Sequence, residues 1–178
     1  MHFLILALIT LVPALPPASG ERFRATPTWL ATERVVWDEA ATSGATKEER
    51  RLLLSIAWNE SRGRHAAIGD HGCAWGVFQI QLGGVGMRGR CAADSYKVLG
   101  PEFQVQRGAF LEPRLSTRAA LALLRRLGSQ RYPDIALVQY AGCNPGGKCA
   151  EKLLGRHRWW KETGLETRWL TLEHQDRR

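Results

Sequence analysis

Glu60 stands at the end of an apolar stretch, within Ala57-Trp58-Asn59-Glu60-Ser61-Arg62, and Ala74-Trp75-Gly76-Val77-Phe78-Gln79-Ile80 follows it. A carboxylate held against an apolar wall is hard to ionise and keeps a proton that it can donate. Breaking a glycosidic bond needs such a donor, because the departing oxygen leaves poorly until it is protonated. Glycosidases usually employ a second carboxylate. The nearest option is Asp70 in Gly69-Asp70-His71-Gly72, which also suits a turn. Gln79 brings an amide and Tyr140 a hydroxyl that can brace a loop, orient Glu60 or bind a polar substrate. Of the seven Trp, Trp75 is the one expected to border a cleft, because it lies in the loop region after Glu60. Ser61 either braces that loop or touches substrate.

These residues need elements to hold them, and helical periodicity dominates the chain. A first helix is expected from about Thr28 to Thr42, with Leu30, Val35, Val36 and Trp37 as its apolar content. Thr46-Lys47-Glu48-Glu49 reads as a capping box for a second helix, which runs to about Arg62 and stops at Gly63. On it Leu53, Ile56, Ala57 and Glu60 share one face, so the carboxylate points where the core or a cleft beside it lies. Residues 63–90 read as loop, with a short apolar insert at Trp75–Leu82 that suits a small strand pair or a short helix. Ser116 is a plausible cap for a helix over Thr117–Leu127, and Pro133 opens another through Tyr140. A last helix spans about Cys149 to Lys161. The fold class expected is mostly α: a single compact helical domain with a cleft and a small loop or β-like insert.

Residues 1–20 read as a secretory signal peptide: a short apolar run broken by Pro13, Pro16 and Pro17, then Ala18-Ser19-Gly20 before the cleavage point. The competing reading is an uncleaved anchor, but the run falls short of the ~20 apolar residues of a comfortable span. Removing 20 of the 178 residues leaves 158, enough for one domain with a real core. The segments expected are a signal peptide (1–20), an N-terminal helical segment (21–45), the main domain (46–163) and a C-terminal tail (164–178). The removed segment has no acidic or basic side chain, so the net charge stays +8. An exported basic chain is drawn to polyanions such as cell-wall polymers, anionic head groups and nucleic acid. The basic run Lys148, Lys152, Arg156, His157, Arg158 and Lys161 is either such a surface or a solvated helix face. No zinc-finger or RNA-recognition motif supports a nucleic-acid partner.

Four Cys in an exported chain suggest two disulfides, with three connectivities possible. Cys143 and Cys149 flank Asn144-Pro145-Gly146-Gly147-Lys148, a turn-rich segment that favours their pairing and leaves Cys73 with Cys91. The rival is a metal site at His65, His71, Cys73 and Cys91, whose spacing fits no common zinc pattern. No cofactor and no metal are expected.

Taken together these pieces resemble the lysozyme-like domain of soluble lytic transglycosylases and goose-type lysozymes. That family has a helix ending in Glu-Ser, matched by Glu60-Ser61. It then has Gly-x-x-Gln-Ile/Leu, matched by Gly76-Val77-Phe78-Gln79-Ile80. A later Ala-x-x-x-Tyr-x-Ala-Gly pattern is matched by Ala136 to Gly142, with the residue between Tyr140 and Ala141-Gly142 absent. The likeness covers roughly residues 48–161. It implies an α+β lysozyme-like fold and a periplasmic or secreted enzyme that cleaves the β-1,4 bond between N-acetylmuramic acid and N-acetylglucosamine in peptidoglycan. Glu60 would be the general acid and base, Ser61, Gln79, Tyr140 and Trp75 would contact substrate, and the products would carry a 1,6-anhydro ring. The alternatives are a lysozyme-type hydrolase, in which Asp70 helps to position water, and a non-catalytic glycan-binding module.

Overall fold

The computed structural model describes residues 27–81, 85–86, 89–90 and 107–163. The expected signal peptide, Cys91 and the C-terminal tail lie outside the described residues. Helix α1 (Pro27–Thr42) opens on a proline, whose missing N–H costs nothing in the first turn. Its buried stripe is Trp29, Val36 and Ala40. Leu30, counted above among the apolar content, is 41% exposed, and Trp29 one residue earlier takes the inward place. A one-residue change turns a side chain by about 100° around a helix, which is enough to exchange core for solvent.

Helix α2 (Lys47–Ser61) carries the expected capping box. Glu49 N donates to Thr46 Oγ1 at 3.1 Å and Thr46 N donates to Glu49 Oε2 at 2.9 Å. Leu53, Ile56 and Ala57 are fully buried. Burial of each Leu or Ile side chain is worth roughly 1.5–3 kcal/mol, so the apolar face fixes the helix's rotation. Arg62 ends the helix in the left-handed region (φ 55°), its N–H donating to the carbonyls of Ala57 and Trp58. Gly63, the expected stop, follows with φ 73°, and its Cα lies so close to the Trp29 ring that a Cβ would collide with it.

The segment after α2 forms short antiparallel strands: β1 (Ile68–Gly69), β2 (Ala74–Trp75) and β3 (Ile80–Gln81), in that order across one sheet. Ile68 faces Trp75, and Trp75 in turn faces Ile80. The insert is thus strand rather than helix. A second pair joins β4 (Val85–Gly86) to β5 (Gly89–Arg90). Between β1 and β2 a 3-10 turn over Asp70–Gly72 holds Asp70 and His71 at φ 47° and 55°.

A 3-10 turn at Arg107–Leu111 leads into α3 (Pro113–Arg126). The cap expected at Ser116 is instead Glu112, whose carboxylate accepts from Arg114 N at 3.1 Å and Leu115 N at 2.7 Å. Glu112-Pro113 supplies both the cap and a pre-set first turn, so the helix starts earlier and Ser116 is buried inside it. Helices α4 (Pro133–Tyr140) and α5 (Lys148–Thr163) complete the described chain. Helix α2 packs against all four other helices. The fold is mostly helical with a small β insert, as expected.

Polar ties join the helices across this core. Arg118 bonds Glu39 at 2.6 Å and joins α3 to α1. Arg125 bonds Glu49 at 3.0 Å and joins α3 to the start of α2. Helix α5 reaches both ends of α2: His157 and Lys161 meet Glu48 at 3.0 and 2.9 Å, and Arg156 meets Asn59 at 2.8 Å.

Candidate functional site

A cleft of about 610 Å³ opens where α2 gives way to the β insert, lined by Glu60, Arg64, His65, Ala66, Ala67, Ile68, Gly69 and Gln79. Glu60 is half-buried in its wall. Burial raises its proton affinity, the Asp70 charge adds to the rise, and a hydrogen bond from Asn59 Nδ2 at 3.1 Å opposes it. The net effect raises its proton affinity above that of an ordinary glutamate. The cleft therefore contains a carboxyl that holds its proton at higher pH than a solvated glutamate does. Asp70 sits in the left-handed turn, exposed, and accepts from Gln81 Nε2 at 2.8 Å. It is a turn residue and also a charge that Glu60 feels.

Tyr140, on α4, donates its hydroxyl to the Phe78 carbonyl at 3.2 Å. Burial, and then the neighbouring Glu60 charge, push its phenol well above the ordinary tyrosine value. It remains a neutral donor at the back of the site. Gln79 adopts φ 47° and sends its Nε2 to the carbonyls of Ala67 (3.3 Å) and Gly76 (3.0 Å). Both amide hydrogens are thus spent on bracing the cleft wall, and its Oε1 lies against Gly69, where a Cβ would not fit. Gly76 (φ 75°) packs on the Phe110 carbonyl and Ser116 Oγ, which docks the small sheet on α3.

Glu60 and Gln79 thus share the cleft lining; Tyr140, expected to line it too, is outside the lining but near enough to feel the Glu60 charge. Ser61 and Trp75 do not join them. Ser61 is 1% exposed and donates back to the Ala57 carbonyl at 3.2 Å, an ordinary helical back-bond. Trp75 is half-buried against the core, its indole N–H held by the Gly72 carbonyl at 2.9 Å, and it is not in the cleft lining.

The cleft lining also holds residues that the sequence reading did not assign to it, and Arg156 lies behind it, bonded to Asn59. Arg64 and His65 line the cleft as exposed groups, Arg64 steadied by Nε donating to the Ser61 carbonyl at 3.1 Å. Arg156 is buried, although it reads as part of an open basic face. Helical spacing was the available signal: from Ala150 and Leu153, positions 156 and 157 fall on the inward side. Lys148, Lys152, Arg158 and Lys161 are exposed.

Cys143 and Cys149 are paired, with Cα atoms 5.6 Å apart, and close the turn between α4 and α5. Cys73 is also disulfide-bonded, while its expected partner Cys91 falls outside the described residues. Among the described residues no group of three His, Cys, Asp or Glu can hold a metal ion, and no helix is long and apolar enough to cross a membrane. No family model, curated protein or solved structure matches the chain.

Proposed function

We propose that this chain is an exported enzyme of the lysozyme-like transglycosylase class that cuts the β-1,4 bond between N-acetylmuramic acid and N-acetylglucosamine in peptidoglycan. The observation that carries the reading is Glu60, a half-buried carboxyl with raised proton affinity in the wall of an open cleft. Glu60 gives its proton to the glycosidic oxygen as the C1–O bond breaks. The substrate's own acetamido oxygen closes on C1. The 6-hydroxyl then attacks C1, the acetamido oxygen departs, and the Glu60 carboxylate takes the hydroxyl proton. The product carries a 1,6-anhydro ring and the acid is restored.

The remaining features fit this chemistry. Gln79 and Tyr140 brace the wall around Glu60 by bonds to backbone carbonyls. Arg64 and His65 give the cleft rim donors for an anionic substituent, and Ile68, 45% exposed, gives it an apolar spot. The net charge of +8 and the exposed lysines of α5 suit an anionic polymer. Two cysteine-derived cross-links suit an oxidising compartment, which accords with the signal peptide read in residues 1–20.

A second reading keeps the bond and the acid but delivers water. The influence of the Asp70 charge on Glu60 favours it, since a carboxylate near the acid can position a water molecule. Mass spectrometry of soluble products from purified peptidoglycan separates the two. Anhydro-ended muropeptides, each lighter by one water, are the expected result. Reducing ends would assign hydrolysis instead, and the absence of any soluble product would overturn the enzymatic reading.

A further inference from the structure

Arg156 lies on α5 with 8% of its surface exposed. Its Nη1 donates to Asn59 Oδ1 at 2.8 Å, and Asn59 Nδ2 donates to Glu60 Oε1 at 3.1 Å. The order of these bonds follows from donor chemistry. A guanidinium has only donors, so it claims the acceptor end of the Asn59 carboxamide. The amide nitrogen is then turned toward Glu60. The reversed amide would set an oxygen against the carboxylate and an NH₂ against the guanidinium, and both contacts are repulsive. In a neutral carboxyl the carbonyl oxygen accepts more strongly than the hydroxyl oxygen, so the bond from Asn59 to Oε1 favours the proton on Oε2.

We infer that Arg156 is a positioning residue for Glu60, acting through Asn59 to hold the carboxyl in one orientation with its proton on one oxygen. The inference rests on the reading of Glu60 as the acid. Arg156 is 97 positions from Asn59 in the chain, so α5 supplies from outside the cleft the device that orients the acid on α2. Among the described residues, the other charged and titratable groups around Glu60 are Asp70 after β1, Tyr140 on α4, and Arg64 and His65 on the cleft wall.

The test is the titration of Glu60 itself, followed by carboxyl-carbon NMR in the purified chain as wild type, Asn59→Ala, Arg156→Met and the double variant. Losing a hydrogen bond that favours the ionised form moves the Glu60 midpoint to higher pH, by about half to one unit in each single variant. Because Arg156 works through Asn59, the double variant moves no further than Asn59→Ala alone. The high-pH limb of the cleavage profile shifts by the same amount. A folded Arg156→Met protein with the wild-type midpoint would overturn the inference, as would a double variant whose shift is the sum of the singles. Should Arg156→Met not fold, Asn59→Ala decides, since an unmoved midpoint there also overturns the relay. The NMR midpoint needs no substrate, so the relay and the enzymatic reading fail separately.

Discussion

At Glu60 two influences, burial and the Asp70 charge, outweigh the hydrogen bond from Asn59, and the carboxyl keeps its proton to higher pH than an ordinary glutamate. That has a consequence for stability whose sign can be worked out. A folded-state value raised above the unfolded one, about 4.3 for glutamate, means stability is full below the unfolded value and is lost as pH rises through the folded one. Glu60→Gln removes this titration. Thermal melts at stepped pH should show the variant gaining on wild type from mildly acidic to neutral conditions, with the gap closing in acid. A variant that is less stable than wild type at neutral pH would show that the charged carboxylate is stabilised in place. The place of Glu60 beside the core was legible because Leu53, Ile56, Ala57 and Glu60 share a helix face, and the first three are fully buried. The setting of its carboxyl was not legible, because Asn59 is held by a residue of α5 whose neighbours are exposed lysines and arginines. The position of Trp75 outside the cleft lining has a related reason. Sequence locates a tryptophan in a loop, but the Gly72 carbonyl that turns its indole inward is fixed only by the folded turn.

Helix α2 carries carboxylates of opposite behaviour at its two ends. At the start, burial pushes Glu49 up, but bonds from Arg125, the Thr46 amide and Ser129 together outweigh it, and its carboxyl lies below the usual range. A lowered value contributes stability above the unfolded value and loses it as pH falls through the folded one. Glu49→Gln should therefore cost roughly 1–3 kcal/mol at neutral pH by urea denaturation, a range kept modest because Arg125 is about a third exposed. The penalty should shrink in acid; a constant penalty from neutral pH to strong acid would assign it to packing alone. The capping box on this helix was legible, since Thr46 and Glu49 are three residues apart. Arg125 was not, being 76 positions away. Helix α3 differs, since its Glu112-Pro113 cap is local yet Ser116, the residue read as the cap, is a buried contact of Gly76.

For the whole molecule, α2 sits among four helices and presents its end to the cleft, so the apolar core is also the scaffold of the proposed acid. Helix α1 shares in this, with Trp29 set edge-on to Trp58 at 4.9 Å and against Gly63 just beyond the helix end. The mostly helical class followed from periodicity, whereas the strands of the insert are two residues each, too short for any period to register. The central claim is that Glu60 delivers the proton that lets the glycosidic bond break. The most direct measurement is soluble muropeptide release from purified peptidoglycan by wild type and Glu60→Gln side by side, with circular dichroism confirming that both are folded. Wild type should release product, and the variant's rate should fall by about 10²–10⁴-fold, the usual worth of a positioned general acid. A folded Glu60→Gln protein that cuts at the wild-type rate would contradict the claim.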